Sequence, residues 1–359
     1  MVGSDGMDTA EPASPSPLHR LVDATGVAPA WLGLGVTALA LAVFVVIEWA
    51  FGRFELASQP ATSEGVIGDM RISVAHILAA GYLPTAYLYA GRAARRSAAR
   101  GAAAGAVVRP PPESERWVLG IAAAVGVGAA VLVALFASVG TVSFRPSTWT
   151  AETAWHRLLS PWLGAWISLL TVRIVLDSLR LSAAAASVED VDLLEPGELR
   201  FVNHQGLTNA LLWMGLVAGY SLSVVDWQYL PPFLITVGVA VPAALVALAL
   251  PALGARRAIR RAKERELRFC REAIRGSRRD LEADPGAARR GRLDELVAWE
   301  RRVEGVREWP FEAATWRRFG LYLLIPLVSW SGGALVERAV DAVLEEPAPA
   351  VSRGESQPE

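Results

Sequence analysis

Residues 30–51 read AWLGLGVTALALAVFVVIEWAF, an apolar run in which Glu48 is the only charged residue. A helix needs about 20 such residues to cross the hydrocarbon core of a bilayer. Six further runs of similar length follow, at 72–91, 117–139, 158–176, 207–225, 233–253 and 319–336. The sequence therefore predicts an all-α membrane protein with about seven transmembrane helices.

The charge distribution predicts how these helices are oriented. Hydrophobic residues make up 53% of the 359 residues and charged residues 20%, so the charges must be concentrated between the runs. Arginines gather between the second and third runs and again after the sixth. Since arginine and lysine near span ends resist translocation, we expect both segments and the N-terminus to be cytosolic. The excess of arginine over a single lysine is typical of a GC-rich bacterial coding sequence, which favours a bacterial cytoplasmic (inner) membrane.

On this pattern the chain divides into five segments. Residues 1–29 form a disordered cytosolic leader, and 30–253 a six-span transmembrane bundle. Residues 254–309 form a cytosolic helical hairpin, and 310–344 a seventh span or a re-entrant helix. Residues 345–359 form a disordered tail, which lies outside the cell membrane only if the seventh run spans fully. The single cysteine, Cys270, excludes an internal disulfide and is interpreted as a structural thiol.

Helical periodicity predicts the hairpin between the sixth and seventh runs. Leu267 and Ile274 follow three- and four-residue steps, as do Leu296 and Val303. An Asp-Pro-Gly turn signal separates the two sets at 284–286. We therefore expect two antiparallel helices whose apolar faces meet, with arginine and glutamate outside.

Polar residues within the spans are the first candidates for function, because each is costly in lipid unless it finds water or a partner. Arg173, Asp177 and Arg180 are spaced to share one helix face, where Asp177 can pair with either arginine. They could form a buried ion pair between helices or a ring of charge around a pore. Alternatively, Arg173 extends to the cytosolic headgroups, and Asp177 and Arg180 already lie outside the hydrocarbon.

Two more polar candidates lie in other runs. His76 in the second run could titrate or bind an ion, or could be an ordinary interface residue. Asn209 lies one turn inside the fifth run, after Asn203, His204 and Gln205. This polar group could line a vestibule or could simply cap a helix at a solvated turn.

Two groups of arginines could bind the headgroups of anionic lipids. The members are Arg92, Arg96 and Arg100 after the second run, and Arg256, Arg257, Arg260 and Arg261 after the sixth. Alternatively, they only determine topology on a solvated helix. Nucleic acid is not expected as a partner, because glutamates are interleaved with the cations and no base-stacking aromatics accompany them.

Small residues line one broad face of the third run, where another helix could approach closely. Gly120, Ala124 and Gly128 recur at four-residue spacing, and Ala122, Gly126 and Ala130 form a second row beside them. Packing within the chain is the expected use of this face. A second copy of the chain is the alternative.

Enzyme signatures are largely missing from the sequence. It contains no glycine-rich phosphate loop ending in Lys-Ser/Thr, no paired-histidine metal helix and no cysteine pair, so no cofactor or metal is predicted. The sequence favours a non-enzymatic regulatory or interaction protein that contacts a protein partner, or another copy, through its hairpin. An ion or small-solute channel or transporter is the alternative, since prolines interrupt several spans.

Overall fold

The computed structural model describes residues 24, 26–51, 63–137, 150–194, 197–221, 230–283, 287–311 and 313–324. Within these residues the protein is all-helical and has no strands, which confirms the predicted helical class. The seven main helices are α1 Pro29–Ala50, α2 Ser63–Ala103, α3 Ser114–Ala137, α4 Ala151–Ala186, α5 Arg200–Ser221, α6 Leu230–Ala283 and α7 Ala287–Glu304. A 3₁₀ turn at Gly197–Leu199 precedes α5, and a further helical stretch covers 313–324.

Four segments are long and apolar enough to cross a membrane: Pro29–Ala50, Ser114–Val133, Thr153–Ala186 and Thr236–Arg279. They belong to α1, α3, α4 and α6. Within the described residues, the second and fifth predicted spans, on α2 and α5, do not combine the length and hydropathy that define these four segments. Most of the seventh run, and nearly all of the leader and the tail, lie outside the described residues. The number of seven transmembrane helices therefore remains a prediction.

The lower hydropathy of α2 and α5 fits their position in the bundle. α2 packs against α1, α4 and α5, and α5 packs against α2 and α6. Polar side chains on these two helices face protein, as Tyr82 of α2 does when its hydroxyl donates to the Leu212 carbonyl at 2.6 Å. A helix enclosed by other helices can carry polar groups that a lipid-facing helix cannot.

Neighbouring helices alternate in direction. Ser97 of α2 faces Gln205 of α5, while Tyr82, nearer the start of α2, faces Leu212, so these two helices are antiparallel. α2 and α4 are parallel, because Ala80 accepts a hydrogen bond from Trp162 and the later residue Tyr87 contacts the later residue Trp166. Such alternation is what consecutive membrane crossings require.

Glycines allow α3 and α4 to approach each other closely. A Cβ on Gly126 would overlap the carbonyl of Gly164, and one on Gly164 would overlap the Gly126 carbonyl and the Ala130 side chain. A Cβ on Gly120 or Gly128 would meet no other part of the described protein within 4 Å. The predicted packing within the chain is thus confirmed for the row of Ala122, Gly126 and Ala130, while the other row faces away from the bundle.

The longest helix, α6, has 54 residues and runs without a break from the sixth apolar run into the charged segment. At 1.5 Å per residue its length is about 80 Å. Its C-terminal part packs against α7: Arg271 Nε lies 2.9 Å from Glu300 Oε1, and Trp299 Nε1 donates to Glu266 Oε1 at 2.9 Å. We call residues 254–283 of α6 together with α7 the α6–α7 arm. The turn at 284–286 lies outside the described residues, and the cytosolic location of the arm stays a prediction.

Candidate functional site

A cluster of four charged side chains joins the start of α3 to α4. Glu115 lies in the first turn of α3, and Arg173, Asp177 and Arg180 share one face of α4. Arg173 lies 3.1 Å from Glu115 Oε1 and 2.7 Å from Asp177 Oδ2. Arg180 lies 2.7 Å from Glu115 Oε2 and 3.2 Å from Asp177 Oδ1. Each arginine therefore contacts both carboxylates.

Burial makes this cluster energetically important. The side chain of Asp177 is 4% exposed, that of Glu115 7% and that of Arg173 12%. Removing ions of this kind from water costs several kcal/mol each, and only close pairing compensates for that cost. Two guanidinium groups and two carboxylates sum to zero charge, so the cluster is internally neutral. Loss of any one member would leave a buried net charge.

The spacing of Arg173, Asp177 and Arg180 predicted pairing on one face, and the structure brings these three together. It adds Glu115, to which the sequence interpretation gave no role. The available signal was weak: Glu115 stands two residues before Trp117, at the point where the third run begins. Only the antiparallel packing of α3 on α4 places its carboxylate opposite the arginines.

A chain of uncharged polar side chains crosses from α2 through α5 to α4. Ser97 Oγ donates to Gln205 Oε1 at 3.2 Å, and Gln205 Nε2 donates to Asn209 Oδ1 at 2.9 Å. Asn209 Nδ2 then donates to Ser178 Oγ at 3.2 Å. All four residues are fully buried. Each bond satisfies a polar group that would otherwise destabilise the interior.

The position of these residues within α5 contradicts the capping interpretation of Asn209 and its neighbours. Because α5 begins at Arg200, Asn203, Gln205 and Asn209 lie inside the helix, and none of them caps its end. Asn203 donates to the carbonyl of Pro310 at 2.6 Å instead. These amides link helices to one another, a role that the spacing in the sequence does not reveal.

His76 lies apart from the charged cluster. Its ring makes edge contacts with His156 on α4 and Tyr220 on α5, at centroid distances of 5.1 and 5.7 Å. Its Nδ1 is enclosed and has no hydrogen-bond partner in the described part of the chain. His156 precedes Asp177 by 21 residues on α4, which is about 30 Å along the helix axis. His76 and Asp177 therefore line separate regions.

The candidate lipid-binding arginines of α6 have partners within the protein. Arg261 donates to the carbonyl of Ala186 at the end of α4. Arg260 pairs with Glu264 at 2.9 Å, Arg257 donates to the carbonyl of Leu253, and Arg256 lies 3.6 Å from Glu308. Among these contacts, the one from Arg261 joins the arm to the bundle, and all of them compete with headgroups for the same guanidinium groups.

The arginines at the end of α2 differ from those of α6. Arg92 has an interaction partner, but Arg96 and Arg100 are exposed and make no ion pair with an acidic side chain that the structure describes. Of the two predicted groups, the one on α2 therefore has guanidinium groups that remain available to an external anion.

No family model, no curated protein and no solved structure matches the chain significantly.

Proposed function

We propose that the chain is a multi-pass protein of the bacterial inner membrane, with a cytosolic N-terminus, that acts as a regulatory or interaction protein. In this proposal α1–α6 anchor the protein, and the α6–α7 arm extends into the cytosol and binds a protein partner or a second copy. The arm has no catalytic role.

The observation that carries this proposal is an exposed aromatic side chain on the arm. Phe269 is 63% exposed on a helix segment that is otherwise rich in charge. Single exposed apolar side chains are common on water-facing surfaces. In the proposed cytosolic arm, however, no lipid covers Phe269, so a protein partner is the surface that would bury it.

The attachment of the arm supports the same proposal. Arg261 and Arg265 donate to the carbonyls of Ala186 and Glu189 at and beyond the end of α4. Lys263 donates to the carbonyls of Glu304 and Val306, at 2.7 and 3.0 Å, which ties the end of α7 to α6. Because the base of the arm is bonded to the end of α4, a structural change at the surface of the arm would be transmitted to α4.

Site-specific photo-crosslinking in intact membranes tests this function. A photoreactive aromatic residue at position 269 should give an adduct, whereas the same residue at Val239 should give none. Val239 is a matched control because it lies on the same helix with the same exposed fraction of 63%, but within the apolar part. An adduct of two chains would identify self-association, and any other mass would indicate a different partner. No adduct at 269, or equal adducts at both positions, would contradict the proposal.

A channel or transporter is the second candidate, and the buried charges of α3 and α4 are the observation that favours it. Against it, those four side chains neutralise one another, and His156, whose ring contacts that of His76, lies about 30 Å from Asp177 along α4. We expect no ion flux when the purified protein is placed in liposomes. Reproducible flux that Asp177→Asn abolishes would overturn the regulatory proposal in favour of the channel.

A further inference from the structure

Three elements meet beside the start of α5. Ser97, near the end of α2, donates to Gln205 of α5 at 3.2 Å. Asn203 of α5 donates to the Pro310 carbonyl at 2.6 Å, which brings the segment leading to 313–324 against the same helix. Phe319 of that stretch is 4% exposed and belongs to the main hydrophobic core. Packing therefore fixes the backbone positions of all three elements.

Each of these elements contributes a basic side chain to one exposed region. Arg96 and Arg100 stand one turn apart on α2, His204 lies on α5, and Arg318 lies in the stretch 313–324. None of these four makes an ion pair with a carboxylate that the structure describes. Partial burial, followed by the positive charges of Arg100, Arg318 and Arg96, lowers the pKa of His204 below its usual value of 6.5. The region thus has an uncompensated positive potential.

Apolar side chains beside this region indicate the source of the anion that would balance it. Trp316, Leu321 and Leu324 lie in the same stretch as Arg318 and are 51%, 61% and 49% exposed. Leu321 stands three residues after Arg318 and hence on the same helix face. Tryptophan is enriched at the headgroup level of membranes. A cationic side chain with apolar neighbours of this kind is better suited to bind an anionic lipid than a free anion.

The geometry points to a binding site for a phosphate group, formed by Arg96, Arg100, His204 and Arg318 and occupied by the headgroup of an anionic phospholipid. The guanidinium groups would pair with phosphate oxygens, and His204 would donate a hydrogen bond. Leu321 and Leu324 would contact the acyl chain. The site lies apart from the α6–α7 arm, so its failure would leave the proposed interaction function untouched.

Native mass spectrometry of the full chain tests this site. The protein is released from nanodiscs that contain an equal mixture of phosphatidylcholine and phosphatidylglycerol, and the retained lipids are counted. We expect selective retention of phosphatidylglycerol. Each arginine should contribute about fivefold to the affinity, so the triple variant Arg96→Gln, Arg100→Gln, Arg318→Gln should lose about a hundredfold.

The matched control is the triple variant Arg275→Gln, Arg278→Gln, Arg279→Gln, which removes the same charge from exposed positions near the end of α6. It should retain phosphatidylglycerol as the unmodified protein does. Equal loss in both triple variants, or no preference of the unmodified protein for phosphatidylglycerol, would overturn the site.

Two further measurements separate a lipid from free phosphate. Leu321→Ser should weaken retention of phosphatidylglycerol, since it removes an acyl-chain contact while leaving the cations in place. Inorganic phosphate at millimolar concentration should fail to displace the retained lipid. If phosphate displaced the retained lipid and Leu321→Ser retained phosphatidylglycerol as the unmodified protein does, the lipid assignment would be overturned and a free phosphate site indicated.

Discussion

Asp177→Asn is the sharpest test of the charge cluster that joins α3 and α4. The carboxylate of Asp177 lies 2.7 Å from Arg173 and 3.2 Å from Arg180 and is 4% exposed. Asparagine keeps the size of the side chain but removes its charge, which leaves two guanidinium groups with Glu115 alone. Breaking a buried pair costs about 3–5 kcal/mol. Because Arg180 is 24% exposed and can turn toward solvent, we expect a loss at the lower end, about 3 kcal/mol.

The measurement is the free energy of unfolding of the purified full chain in detergent micelles, followed by tryptophan fluorescence. Glu282→Gln is the control, because it removes one carboxylate from an exposed pair with Arg278 whose side chains are 66% and 77% exposed. Exposed pairs of this kind contribute at most about 1 kcal/mol. Equal losses in the two variants would refute the conclusion that the cluster is buried and coupled.

A second substitution separates loss of charge balance from general damage. Adding Arg173→Met to Asp177→Asn leaves Arg180 and Glu115, a neutral pair 2.7 Å apart. The double variant should be more stable than the sum of the two single losses predicts, by about 1–3 kcal/mol. Strict additivity would mean that Arg173 and Asp177 act independently.

The remaining predictions concern helix packing and the basic region. Gly126→Ala should lower the free energy of unfolding by about 1–3 kcal/mol, because its Cβ would overlap the Gly164 carbonyl. Gly128→Ala, whose Cβ would meet nothing within 4 Å, should leave thermal unfolding unchanged, and equal effects of the two substitutions would contradict the close approach. Arg100→Gln should raise the pKa of His204, since the removed charge opposes protonation. An NMR titration of the four labelled histidines measures this, and an unchanged pKa would exclude Arg100 as a close neighbour.

The helices themselves could be predicted from the sequence because each apolar run is long enough to be recognised without its neighbours. The number of spans could not be settled in the same way. α2 and α5 carry His76, Tyr82 and Asn209, and their mean hydropathy reflects enclosure by other helices as much as exposure to lipid. Hydropathy along one chain cannot distinguish a polar residue that faces protein from one that interrupts a span.

The candidate site shows the same division between local and long-range information. A spacing of four and three residues is enough to place Arg173, Asp177 and Arg180 on one face, because that is a property of a single helix. Whether they reach the headgroups or stay buried depends on what lies opposite. Glu115 supplies a second carboxylate from α3, so both arginines have acceptors within the protein, which favours the buried pair over extension to the headgroups.

The arginines near the predicted cytosolic surface show why residue type and position along the chain do not define a lipid site. Arg100 on α2 and Arg261 on α6 both follow an apolar run at a similar distance, and in sequence they are equivalent. α6 lies parallel to α4, and the apolar part of α6 ends beside the last carbonyls of α4, which need hydrogen-bond donors. Arg261 therefore donates to the carbonyl of Ala186. α2 meets the start of α5 instead, where His204 is another basic side chain and the described residues provide no such acceptor. The end of the neighbouring helix therefore determines which guanidinium groups serve the fold and which are left for an external anion.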